Sequence, residues 1–265
     1  MSWLAPGLLG LVFGSFLNVV IHRVPRRKSI VYPASHCPSC RKPIEWYDNI
    51  PVASYVALRG RCRRCKKKIS IRYPVIEALT ALLLLAARAR HGLDLTMIVR
   101  DVPFILMLVA VTFIDLDHRI IPNVISLPGT ALGLLTSFLD PRLGAETLLT
   151  FGFFDPPSSE ALTAALRSIE GGLLGFGLFY GLGWTYERLT GRYGLGGGDV
   201  KLLALIGTFL GPMGVLTTVL VSSVFGSVVG IGWALATRQK NLMTSAIPYG
   251  PFLVIGALYY YLFGQ

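Results

Sequence analysis

From Leu202 to Thr237 the chain carries no charged side chain. Apolar blocks long enough to cross the roughly 30 Å of a bilayer's hydrocarbon core recur along the rest of the sequence. With 53% hydrophobic and only 15% charged residues, most of this chain belongs in lipid. The expected fold is all-α and polytopic, with about eight transmembrane helices over 3–22, 73–90, 98–115, 120–139, 169–187, 199–211, 213–236 and 246–263. The sixth is short and stops at Gly211-Pro212, so it should form a tight hairpin with the seventh. Glycines at 171, 172, 175, 177, 181 and 183 make a small-residue face on which helix backbones can approach closely.

The net charge of +11 is unevenly placed. Between Arg23 and Arg72 there are 14 Lys and Arg against two acids, Glu45 and Asp48. A loop this basic belongs on the cytoplasmic side of a membrane and can also touch anionic lipid headgroups. Residues 1–21 carry no charge and lack a basic n-region, so they read as a first anchor with the N-terminus outside, not as a cleaved signal. On that topology the cytoplasmic segments hold 20 basic residues and the external ones 5, as the positive-inside rule requires. Because topology accounts for the charge, no nucleic-acid partner is expected. The external segment 140–168, with Asp140, Glu146, Asp155, Glu160 and the Pro156-Pro157 pair, reads as a loop with one short surface helix. There is no clear internal repeat.

All four cysteines lie in the basic loop, as Cys37-Pro-Ser-Cys40 and Cys62-Arg-Arg-Cys65 separated by 21 residues. Disulfides are disfavoured in the cytoplasm, and paired C-x2-C knuckles at this distance suit a tetrahedral four-thiolate zinc site. Four sulfur ligands leave no open position, so such a zinc is structural. His36 adjoins the first knuckle as a bystander.

Two carboxylates mark the ends of apolar runs. Asp115 closes the run from Val102 to Ile114, and Asp199 follows Gly196-Gly197-Gly198 at the mouth of the uncharged stretch. Ionisable groups at membrane depth are expensive and usually functional. Both fall on the same expected side, and the glycines let backbone or substrate come close to Asp199. Such a pair can share one proton and activate water, which hydrolyses a peptide with no metal and no covalent intermediate. Asp117 is the rival partner. Asp115 is favoured because it continues the apolar helix directly, whereas Asp117 lies nearer water. No serine elbow, H-E-x-x-H or P-loop competes.

These residues resemble the bacterial type IV prepilin peptidases. The matching stretches are Phe13-Gly-Ser-Phe-Leu-Asn-Val-Val-Ile-His-Arg-Val-Pro25, the two knuckles, Trp46-Tyr-Asp-Asn-Ile-Pro51, Leu58-Arg-Gly-Arg-Cys62, Tyr73-Pro-Val-Ile-Glu77, Ile-Asp-Leu-Asp and G-x-G-D-x-K. The resemblance implies a bifunctional enzyme of the inner membrane, with its zinc loop and active site on the cytoplasmic side. It would cut the leader from type IV prepilins or type II secretion pseudopilins and then methylate the new N-terminal amine with S-adenosylmethionine. It maps the catalytic aspartates onto Asp115 and Asp199, and methylation onto the N-terminal part, with Gly60, Arg61 and Glu77 singled out. The implied organisation is a first helix over 1–22, a four-cysteine loop over 23–72 linked to methylation, and a peptidase core over 73–265. Two other readings compete. One is a presenilin-like intramembrane protease, which has no need of the cysteine loop. The other is a transporter relaying protons through the two aspartates.

Overall fold

Gly10 and Gly14 lie on helix α1 (Leu4–Arg23), one turn apart. A side chain at Gly14 would meet the Glu77 Cα at 2.6 Å, and one at Gly10 would strike the backbone of Ala81. The missing side chains therefore let α1 lie backbone-to-backbone against α3 (Arg72–His91). The computed structural model describes residues 3–143, 159–191, 194–237 and 248–264. They are mostly helical and contain no strand, only the isolated bridges His36–Pro43 and Arg61–Lys68. The chain divides into two units, Met1–Ala110 and Val111–Gln265.

The first unit holds α1, α3 and the loop between them, which includes the short helix α2 (Ala53–Ala57). The two cysteine knuckles have the same local fold. In each, the first cysteine's N–H bonds the carbonyl five residues on (Lys42, Lys67), and its carbonyl accepts from the residue four on (Arg41, Lys66). Arg41 and Lys66 both take positive φ, 57° and 59°. The loop thus contains a short structural repeat where none was expected, carried by Cys37-x-x-Cys-Arg-Lys42 and Cys62-x-x-Cys-Lys-Lys67.

The second unit is built on α6 (Glu160–Thr190) and α7 (Gly197–Thr237). Gly171 and Gly175 of α6 lie on the α7 backbone at Gly207, Gly211 and Leu203, whereas Gly177 and Gly181 face open space. Among the described residues, the first half of the expected small-residue face packs on α7, and in the second half Gly183 lies beside Leu195. Ser168 reinforces the contact by donating to the Thr208 carbonyl at 2.7 Å. Residues 160–168, expected in the external loop, are instead the first turns of α6. No proline interrupts them, and Ala164, Arg167 and Ser168 are buried. Glu146, Asp155 and the proline pair lie outside the described residues.

The expected hairpin is present in geometry. Gly211 has φ 71° and ψ −176° within α7, and a Cβ on Gly207 would stand 2.9 Å from Val215 Cγ2. Eight residues of straight helix separate such atoms by about 12 Å, so the chain turns back here. Helix α4 (Val102–His118) continues a π-turn over Met97–Asp101. Helices α5 (Asn123–Leu135) and α8 (Gly250–Tyr259) are shorter than the spans expected there. Pro122 is the N-cap residue of α5. Four helical stretches, Leu4–Arg26, Met97–His118, Glu160–Thr190 and Gly197–Ala236, are long and apolar enough to cross a membrane. The eight separate passes read from the sequence are thus matched in part.

Candidate active site and metal centre

Asp115 sits in the last turn of α4 and is only 5% exposed, while Asp117 is exposed. Two residues on a helix are about 200° apart, so the packing that buries one turns the other out. A carboxylate at a helix C-terminus faces an unfavourable dipole. Here a second helix offsets it. Gly250, the first residue of α8, donates its backbone N–H to Asp115 Oδ2 at 3.0 Å. A side chain at 250 would stand 2.7 Å from that oxygen, so only glycine admits the contact. The preceding Tyr249 is held by its hydroxyl against Ser222 of α7 at 2.8 Å.

Asp199 lies in the first turn of α7, where the helix dipole favours negative charge. A Cβ on Gly198 would stand 3.0 Å from Ile121, six residues past Asp115, so the second unit sets the start of α7, with Asp199, beside the end of α4, with Asp115. Gly196 and Gly197 before Asp199 are exposed, and space around Gly197 is open. Lys201 donates to Asn123 Oδ1 of α5 at 2.9 Å.

Nothing in the sequence pointed to Gly250. The available signal was Pro248-Tyr-Gly-Pro251, a glycine between prolines at a helix start. Gly250→Ala should displace the Asp115 carboxylate by about an ångström, which would lower the kcat of a reaction that uses it roughly 10²-fold with KM little changed. Steady-state kinetics of the variant against wild type measure this. A wild-type kcat would mean that the α8 contact does not position Asp115.

In the first unit the four cysteine sulfurs all lie within 4.8 Å of one another. Cys37 Sγ and Cys65 Sγ are 3.8 Å apart. Four thiolates about 2.3 Å from a central zinc stand about 3.8 Å from each other, so the donor set fits. The backbone N–H of Cys40 holds the Cys37 thiol down at about 6. The Cys65 amide likewise lowers Cys62. Cys65 is pushed up to about 11: the Lys67 amide favours its thiolate, but burial and the other sulfurs outweigh it. Four such thiols cannot all ionise in contact without a cation among them. Asp48 braces the second knuckle through a fork to Arg63 (2.7–2.9 Å), which holds its carboxyl below the usual range, and Arg64 pairs with Glu45 at 3.0 Å.

Gly60, Arg61 and Glu77 do not converge. Gly60 is buried with φ +65°, accepts the Ile69 N–H, and has no room for a side chain beside Tyr55. It shapes the second knuckle. Arg61 is exposed. Glu77 is 7% exposed and lines a cavity of about 690 Å³ that Gly60 and Arg61 do not reach.

Residues 8–91 match the Bacterial Peptidase A24 N-terminal domain, and residues 102–231 match the Type IV leader peptidase family. The chain belongs to the type IV leader peptidase family. Among its relatives, a Prepilin leader peptidase/N-methyltransferase of Pseudomonas putida is 34% identical over 97% of this chain and 89% of its own length. The protein of the same name from Myxococcus xanthus is 40% identical over 89% of this chain and 64% of its own length. That of Aeromonas salmonicida is 34% identical over 97% and 89%. No solved structure matches the chain. It is a membrane protein and an enzyme, a peptidase with methyltransferase activity. Membership in the family sets the transporter reading aside.

Proposed function

We propose that this enzyme removes the leader from type IV prepilins or type II secretion pseudopilins and then methylates the new N-terminal residue with S-adenosylmethionine. It acts at the cytoplasmic face of the bacterial inner membrane. The observation that carries the peptidase half is the start of α7, with Asp199, packed beside the end of α4, where the Gly250 N–H is fixed on Asp115.

Two carboxyls that feel each other's charge in a site of low dielectric share a proton. The ionised one takes a proton from the attacking water, and the protonated one gives its own to the scissile carbonyl oxygen. The tetrahedral species collapses as the leaving amine is protonated, and no acyl-enzyme forms. The open surface at Gly196 and Gly197 supports an extended substrate segment lying along the backbone beside Asp199. Cys37, Cys40, Cys62 and Cys65 hold a structural zinc that fixes the loop over 23–72, which serves methylation together with Glu77 on α3, while the peptidase core lies in the rest of 73–265. In this reading Gly60 and Arg61 shape the second knuckle and Glu77 serves the methylation site. S-adenosylmethionine, when bound, supplies the methyl group.

Mass spectrometry of a pilin co-expressed with this chain tests both halves. The expected product lacks its leader and carries one added methyl. A full-length pilin beside a folded, inserted enzyme counts against the peptidase reading. A shortened but unmethylated pilin counts against the methylation half.

A further inference from the structure

The cavity of about 690 Å³ in the first unit lies between the four-cysteine loop, α1 and α3. Its size is that of a cofactor site. Tyr47, Tyr55 and Tyr73 give it aromatic walls, and Lys67 and Lys68 also line it. Among the described residues, the Glu77 carboxylate is held there by neutral donors alone, the Val52 N–H at 2.7 Å and the Ser15 hydroxyl. Among the described residues no Lys or Arg pairs with it, although the loop is crowded with both. Arg23 donates to the carbonyls of Ser29 and Pro33, Arg63 pairs with Asp48, and Arg64 pairs with Glu45. A buried carboxylate without a counter-ion is costly, and a proton or an incoming cation relieves it.

Backbone strain points to the same place. Val52 holds φ 60° and ψ −49°, a conformation that β-branched residues avoid. Strain of this kind gathers at functional sites. At Val52 it accompanies an N–H aimed at Glu77.

We infer that this cavity is the methyl-transfer chamber, with Glu77 receiving the two cations of the reaction, the donor's sulfonium and the α-amine of the cut pilin. The inference rests on the methylation proposed above. The amine enters as an ammonium and gives one proton to Glu77. Its lone pair then forms the N–C bond as the donor's S–C bond breaks, and that bond's electron pair stays on sulfur. The sulfonium becomes a neutral thioether, the product leaves as a methylammonium, and the proton on Glu77 passes to water. The tyrosines offer stacking surface for a nucleobase, and the two lysines complement the carboxylate of a donor derived from an amino acid.

Calorimetry on the zinc-loaded full chain in detergent tests this with two probes, S-adenosylmethionine and its neutral thioether product, S-adenosylhomocysteine. Glu77→Gln keeps an acceptor for the Val52 N–H but removes the charge. It should weaken sulfonium binding about tenfold or more, the scale of one charge-assisted contact, and leave thioether binding nearly unchanged. The variant should keep its zinc and its leader cleavage while pilin methylation falls. Val19→Phe, which fills the cavity from α1, should weaken both probes alike. Unchanged sulfonium affinity in Glu77→Gln overturns the role of the carboxylate, and unchanged binding of both probes to Val19→Phe overturns the chamber. A wild type that cuts pilin but neither binds the donor nor adds a methyl overturns the methylation reading itself, and this placement with it.

Discussion

Asp115→Asn and Asp199→Asn should each abolish leader cleavage, a loss of roughly 10²–10⁴-fold or more, while the protein stays folded and inserted. Asparagine keeps the shape of the side chain and can still accept the Gly250 N–H, but it cannot exchange a proton. The loss should therefore appear in kcat, with pilin binding and zinc content intact. Asp117→Asn should cleave nearly as well as wild type, because Asp117 is exposed and turned away from the buried face of α4. A dead Asp117→Asn beside an active Asp115→Asn would reverse the assignment.

Loss of the metal should have the other large effect. The purified protein should carry about one zinc per chain, bound by Cys37, Cys40, Cys62 and Cys65. Serine at any one of them should release the metal. Structural zinc in small knuckles contributes on the order of 10 kcal/mol of apparent binding free energy. Nothing else in the loop between α1 and α3 matches that: its ion pairs are exposed, and the isolated bridges are single contacts. The loop should then become sensitive to limited proteolysis between Arg26 and Arg72. Zinc uptake must displace protons from the thiols, so it should weaken as pH falls from about 11, where Cys65 takes up a proton, and more steeply below about 6, where Cys37 does. Full zinc content in Cys62→Ser would sink the four-thiolate site.

Features that depend on near neighbours were legible in the sequence. Continuation of the apolar run singled out Asp115 over Asp117 as the buried carboxylate, the Gly211-Pro212 step marked the turn in α7, and the two C-x2-C pairs announced a metal-capable cluster. What stayed hidden depends on distant partners. The Gly250–Asp115 bond joins residues 135 positions apart, and no local pattern ties a backbone N–H to a carboxylate at that separation. The buried setting of Glu77 is equally non-local, since it needs α1, α2 and α3 assembled. The resemblance grouped Gly60, Arg61 and Glu77, yet packing gives Gly60 a conformational task and leaves Arg61 in solvent. The start of α6 was misread because charged residues suggested a loop, although helix propensity and the burial of Ser168 carry the helix back to Glu160.

The turn at Gly211 decides the parity of membrane crossings. Taken as one rod, the 41 residues of α7 would extend about 60 Å, twice the hydrocarbon thickness, and deliver Thr237 to the far side from Asp199. Everything downstream would then be inverted, and α8 would begin on the wrong side to meet α4. With the chain reversed at Gly211 the second arm runs back along the first, and Thr237 returns toward the end that holds Asp199. In the folded chain Gly250 does meet Asp115. Sidedness reporters fused after Lys201 and after Thr237 should therefore give the same signal.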